Sequence, residues 1–236
     1  MSNIFRLLKH FYTTERQWLQ IWCFIYASFL LLSLFMPDFF GVTVLRYTGI
    51  CLCLVFAFQH YKNDHLLVIA LFSTLLADTI LAINHTSPIG VFVFCFPQFF
   101  HFTRLRNINP RALTLYFFTI ILIFFFGVSQ KIEPIFILAA VYGAALIANL
   151  LLARRWYKQK PNSVAALSAF LGFLLFLCCD FCVGASYLSF SGVLPIFLYR
   201  IANFCAWAFY YPSQIFVSTS STLNIAKIPS KTEPVL

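Results

Sequence analysis

The chain has 236 residues, 61% of them hydrophobic and 10% charged, with 31 phenylalanines and a mean hydropathy of +0.87. Soluble domains carry about a quarter charged residues, so a soluble globular fold is excluded and a polytopic membrane protein is indicated. The net charge of +9 would suggest nucleic acid in a soluble protein, but Lys and Arg cluster here in short connections between apolar runs. There they set membrane orientation, and no nucleic-acid partner is expected.

The N-terminal stretch MSNIFRLLKHFYTTERQ is basic but offers no small-residue cleavage site before a short apolar core, so it does not read as a removable signal peptide. Runs of about 17–25 apolar residues cross a bilayer as helices. Polar punctuation cuts the chain into eight: Trp18–Met36, Phe40–Phe58, Leu66–Ile83, Ile89–Thr103, Ala112–Val128, Ile135–Ala153, Ser163–Tyr187 and Leu194–Val217. The expectation is an all-α bundle of eight transmembrane helices over residues 1–217, followed by a disordered cytosolic tail, 218–236, polar and without periodicity.

Thirteen cations, Arg6, Lys9, Arg16, Lys62, Arg104, Arg106, Arg111, Arg154, Arg155, Lys158, Lys160, Lys227 and Lys231, fall on one side of that arrangement. Only Arg46, Lys131 and Arg200 fall toward the other. This bias puts both termini in the cytoplasm, with the cell membrane as the location if the source is bacterial. The third and seventh helices run the same way and each carries an aspartate in its outer part, which suggests two four-helix halves around a central cavity.

All eight cysteines lie within apolar runs and read as small packing hydrophobes, including the Cys179 and Cys182 pair, rather than as disulfides or a redox motif. Asp78 and Asp180 carry more information. Each stands in a long apolar run, LFSTLLADTILAI or FLLFLCCDFCVGA, whereas the other five acidic residues fall in polar connections or tails. A carboxylate at bilayer depth costs about 2.5–3.5 kcal/mol on insertion scales, so it marks a functional site facing the bundle interior.

Counting 1.5 Å per helical residue puts Asp78 about 7–8 Å, Asp180 about 10 Å, and Arg46 and Arg200 about 9 Å from the outer surface. Four charges at one depth would neutralise each other, as structural glue or as the wall of a polar cavity. Gln98, His101, Asn203, Tyr210, Tyr211 and Gln214 extend this polar set inward. His10, His60, His65 and His85 lie at loops or helix ends, too far from His101 to complete a set of three or four zinc ligands, so no metal is expected. No G-x-S-x-G, H-E-x-x-H or glycine-rich phosphate loop occurs, and no cofactor is implied.

The segments LFSTLLADTIL with Asp78, QFFHFTR with His101, FLLFLCCDFCVG with Asp180 and FYYPSQ with Tyr210, Tyr211 and Gln214 resemble the YhhN-like lysoplasmalogenase family of eight-helix membrane proteins. That family's pattern has LFS-LLGD-LL, H-x-x-Y, FLLSD-LLA and YY-x-x-Q in the same order, and the likeness covers most of residues 40–217. Departures are Ala77 for the glycine before the first aspartate, Arg104 for the tyrosine after the histidine, Arg46-Tyr47 for a lysine-proline pair, and Pro212 inside the last motif.

The resemblance implies hydrolysis of the sn-1 vinyl ether of a lysoplasmalogen to a fatty aldehyde and a glycerophosphoethanolamine or glycerophosphocholine. Such a bond breaks after protonation of its outer alkene carbon, which leaves an oxocarbenium ion for water to capture. One of Asp78 and Asp180 is expected to donate the proton, and the other to stay ionised, stabilise the cation and orient water, as the two carboxylates of glycosidases do. Arg46 and Arg200 would meet the lysophospholipid's phosphate, with His101, Asn203, Tyr210, Tyr211 and Gln214 as further binding residues. The alternative class is a membrane transporter or proton-coupled carrier using the aspartates as an ion site, and a third is a silent scaffold. The sequence leaves headgroup preference and oligomeric state open.

Overall fold

The computed structural model describes residues 16–36, 40–59, 64–84, 87–105 and 111–220, apart from the side chains of 111 and 112. The expected tail from 221 onward and the basic residues Arg6, Lys9, Lys62, Arg106, Lys227 and Lys231 lie outside the described residues. Eight helices and no strand are found among them: α1 (Arg16–Phe35), α2 (Phe40–Gln59), α3 (His65–Ile83), α4 (Pro88–Leu105), α5 (Arg111–Ser129), α6 (Pro134–Gln159), α7 (Val164–Phe190) and α8 (Phe197–Thr219). Five of these, α1, α2, α3, α6 and α7, are long and apolar enough to cross a membrane.

The ends follow local chemistry. Asp64 caps α3 by accepting from the Leu67 N–H at 3.2 Å, and Ser163 caps α7 by accepting from the Ala166 N–H at 3.2 Å. Pro134 occupies the first turn of α6, where its missing N–H costs nothing. The α5 and α7 ends close alike: Ile132 N–H reaches Gly127 C=O and Val193 N–H reaches Leu188 C=O, with Lys131 (φ 55°) and Gly192 (φ 79°) in the left-handed conformation this closure needs.

Large apolar side chains such as Phe24, Phe72, Phe125 and Phe181 are exposed, while Gln98, Asn149, Ser168 and Ser213 are fully buried. That inversion suits a lipid solvent. The closest helix pair is α7 with α8: Ala165, Ala166 and Ala169 are buried, and a Cβ on Gly172 would lie 2.9 Å from the Val217 backbone nitrogen. Small residues bring the two backbones together, which is how membrane helices associate without a hydrophobic driving force.

The neighbour pattern repeats between the halves. Contacts α1–α2, α2–α3 and α3–α4 are matched by α5–α6, α6–α7 and α7–α8, and the halves join through α4–α6 and α2–α8, which exchange when the halves are swapped. The α1–α8 contact has its counterpart between α4 and α5, where Phe102 stacks on Tyr116 at 4.2 Å. The arrangement puts α3 and α7, the two aspartate helices, in equivalent positions.

Pro212 shows how a helix break is absorbed. Proline cannot donate to the carbonyl four residues back, and that carbonyl, on Ala208, instead accepts from the Tyr26 hydroxyl at 2.8 Å. Helix α8 continues through Pro212 to Thr219.

Candidate functional site

Three helix ends are pinned together at one level. Arg104, near the end of α4, bonds through Nε to the Asp64 carboxylate at the start of α3 and through Nη2 to the Ser220 hydroxyl at 2.7 Å, just past α8. Arg104 and Asp64 are both buried. One sequence expectation is thereby corrected: Arg104 is no loop cation but lies in the last turn of α4, and Asp64, in the connection before α3, is its buried partner.

This pin fixes heights along the bundle. Asp78 stands fourteen residues above Asp64, about 21 Å, and Tyr210 ten residues from Ser220, about 15 Å. The remaining gap is bridged because helical side chains lean toward their own N-terminus, which carries the Tyr210 ring up from α8. Its hydroxyl donates to Asp78 Oδ2 at 2.5 Å. Tyr47 on α2 donates to the Asp78 backbone carbonyl at 3.4 Å.

Asp180 on α7 has a phenol neighbour of its own, Tyr142 on α6, which is within electrostatic reach of both carboxylates. One Asp180 oxygen, Oδ2, is buried without a hydrogen-bond partner. Both aspartates are half-buried as residues. Aromatic rings fill the space between the phenols: Tyr142 to Phe94 at 5.6 Å, Phe94 to Phe176 at 6.5 Å and Phe176 to Tyr210 at 5.5 Å between centroids. The upper polar layer is therefore two carboxylates, each with a phenol, in an aromatic surround.

The expected charge layer is not what forms. Neither Arg46 nor Arg200 pairs with an aspartate. Arg200 is exposed. The Arg46 guanidinium lies over Trp207, 4.3 Å from the ring centroid, and 5.8 Å from that of Phe29, with its Nε buried and unpartnered. Trp207 in turn packs against Tyr210 at 5.5 Å, so Arg46 joins the carboxylate layer through rings and not through charge. Equal depth placed these groups on one level; the faces of their helices decided which of them meet.

Of the remaining site candidates, Asn203 is half-buried on α8, seven residues before Tyr210 and on the same face. Tyr211 turns away from the aspartates. Its ring stacks on Tyr26 at 5.3 Å and occupies the space a side chain on Gly49 would need, where a Cβ would come within 1.8 Å. His101 packs edge-on to Phe173 at 5.2 Å with Nδ1 unpartnered, and Gln214 is buried with Nε2 unpartnered.

His101 and Gln214 belong to a second polar layer nearer the pin, with Gln98 and Asn149. Asn149 Nδ2 donates to both the backbone and side-chain oxygens of Gln98, each at 2.9 Å. Sequence reasoning missed Tyr142 and Asn149. Their signal was present: two polar side chains seven residues apart in the apolar run of α6, hence on one face. Among the described residues no three His, Cys, Asp or Glu side chains converge as a metal-ligand set.

Comparison with known proteins gives one family. The sequence model of the YhhN family matches residues 42–221, which takes in α2 to α8 and both polar layers. No curated protein and no solved structure gives a match.

Proposed function

The chain belongs to the YhhN family, and on that premise we propose that it hydrolyses the sn-1 vinyl ether of a lysoplasmalogen by acid catalysis between Asp180 and Asp78. All eight helices cross the membrane with both termini cytoplasmic, and the carboxylate layer faces the outer leaflet.

The observation that carries this reading is a pair of carboxylates in one layer, each beside a phenol, with one Asp180 oxygen left without a donor. Asp78 accepts a 2.5 Å hydrogen bond from Tyr210, the arrangement of an ionised carboxylate. Asp180 has Tyr142 beside it but keeps Oδ2 without a donor, an oxygen free to hold a proton for a substrate.

Asp180 gives its proton to the outer alkene carbon as the double-bond electrons form the new C–H bond. The resulting oxocarbenium ion is stabilised by the Asp78 carboxylate. Water adds to the oxygen-bearing carbon of that ion and loses a proton to the Asp180 carboxylate, which restores the acid. The hemiacetal hydroxyl then gives up its proton as the bond to the glycerol oxygen breaks and that oxygen takes a proton, which releases a fatty aldehyde and a free sn-1 hydroxyl.

Arg46, over the Trp207 ring with an unpartnered Nε, is the phosphate contact, and exposed Arg200 draws the headgroup in. Asn203 lines the approach above Tyr210. His101, Tyr211 and Gln214 brace the layer from below. No cofactor enters.

The test is release of fatty aldehyde from an alkenyl lysophosphoethanolamine by the purified protein in detergent, with Asp78→Asn and Asp180→Asn each abolishing it while expression persists. Solute or proton flux in sealed vesicles, with no aldehyde in detergent, would favour the carrier class instead.

A further inference from the structure

We propose that the lower polar layer is a bound-water site, built by Gln98, Asn149 and His101. Gln98 Nε2, Asn149 Oδ1, His101 Nδ1 and Gln214 Nε2 are unpartnered polar atoms on side chains at most 2% exposed. Buried polar atoms in folded proteins are satisfied, and where protein does not satisfy them water does.

The Gln98 and Asn149 amides cannot satisfy each other by relabelling. Asn149 Nδ2 already serves both Gln98 oxygens. Turning the Gln98 amide over sets donor against donor. Turning the Asn149 amide over sets its oxygen against the Gln98 carbonyl. In every arrangement at least one donor and one acceptor are left over on adjacent side chains, which is the pair of contacts a single water makes. His101 is one turn along α4 from Gln98, on the same side of the helix, and supplies a third polar partner. A water with two to four such partners is held as part of the structure.

This layer is about 10 Å below the carboxylates, since Tyr142 and Asn149 are seven residues apart on α6. The water site does not rest on the hydrolase reading.

Radiolytic footprinting of the purified full-length protein tests the site, because hydroxyl radicals formed in place label side chains beside bound water. His101 and Phe173 should be labelled about tenfold faster than Phe102, a fully buried residue stacked on Tyr116. Labelling of His101 and Phe173 at the Phe102 rate in the unaltered protein overturns the site, without recourse to any variant. In Gln98→Leu/Asn149→Leu, labelling should fall to the Phe102 level; labelling unchanged by the double substitution overturns the part given to these two side chains. If the unaltered protein releases no aldehyde yet labels as expected, the site stands and the hydrolase reading alone fails.

Discussion

Tyr210 and Asp78, 132 residues apart on α8 and α3, are joined by a 2.5 Å hydrogen bond in which the phenol donates to carboxylate Oδ2. A hydrogen bond to an ionised group contributes about 1.5–3 kcal/mol. Tyr210→Phe removes that donor and keeps the ring that packs on Phe176 and Trp207. Aldehyde release should fall about 10- to 100-fold with little change in melting temperature. A variant as active as the unaltered protein would remove Tyr210 from the site.

The Arg104 and Asp64 pin gives a stability prediction. Removing one partner of a buried ion pair leaves an uncompensated charge and costs about 3–5 kcal/mol, whereas replacing both by apolar residues costs much less. Arg104→Met should therefore lower the thermal midpoint in detergent strongly, and Arg104→Met/Asp64→Leu should recover most of the loss. If the double variant melts no higher than the single one, the pin does not have the weight given to it.

Tyr26 and Pro212 form a second coupled pair. Tyr26→Phe leaves the Ala208 carbonyl without its donor and should destabilise by about 1 kcal/mol. Pro212→Ala restores a backbone N–H to that carbonyl, so Tyr26→Phe should cost less in its presence. A double-mutant cycle of unfolding in detergent measures the coupling, and additive effects would contradict it.

Arg46→Lys keeps the charge but loses the planar guanidinium over Trp207. KM for the lysolipid should rise about tenfold, the equivalent of a lost cation–π and bidentate contact of about 1.4 kcal/mol, with kcat nearly unchanged. An unchanged KM would take Arg46 out of headgroup recognition.

The helix layout was legible because apolar run length is a direct consequence of bilayer thickness. Phe40–Phe58 in sequence became Phe40–Gln59 in structure, and Leu66–Ile83 became His65–Ile83. The largest boundary difference is at the end of α6, which runs on to Gln159 beyond the expected Ala153. Loss of apolarity at Arg154 marks where a membrane would end, not where the backbone stops being helical.

The aspartates were legible because a carboxylate in an apolar run is conspicuous. Their partners were less so. Depth along a helix fixes one coordinate, and rotation about its axis fixes who meets whom; Arg46 shares the aspartates' level yet faces Trp207 and Phe29. Tyr142 escaped notice because tyrosine reads as one more aromatic until a carboxylate is found beside it.

The central claim is that Asp180 protonates carbon. Hydrolysis of an alkenyl lysolipid in deuterium oxide should give a fatty aldehyde carrying one deuterium on the carbon next to the carbonyl, with no product above background from Asp180→Asn. An aldehyde without that deuterium, or an Asp180→Asn protein that turns over at the unaltered rate, would contradict the account.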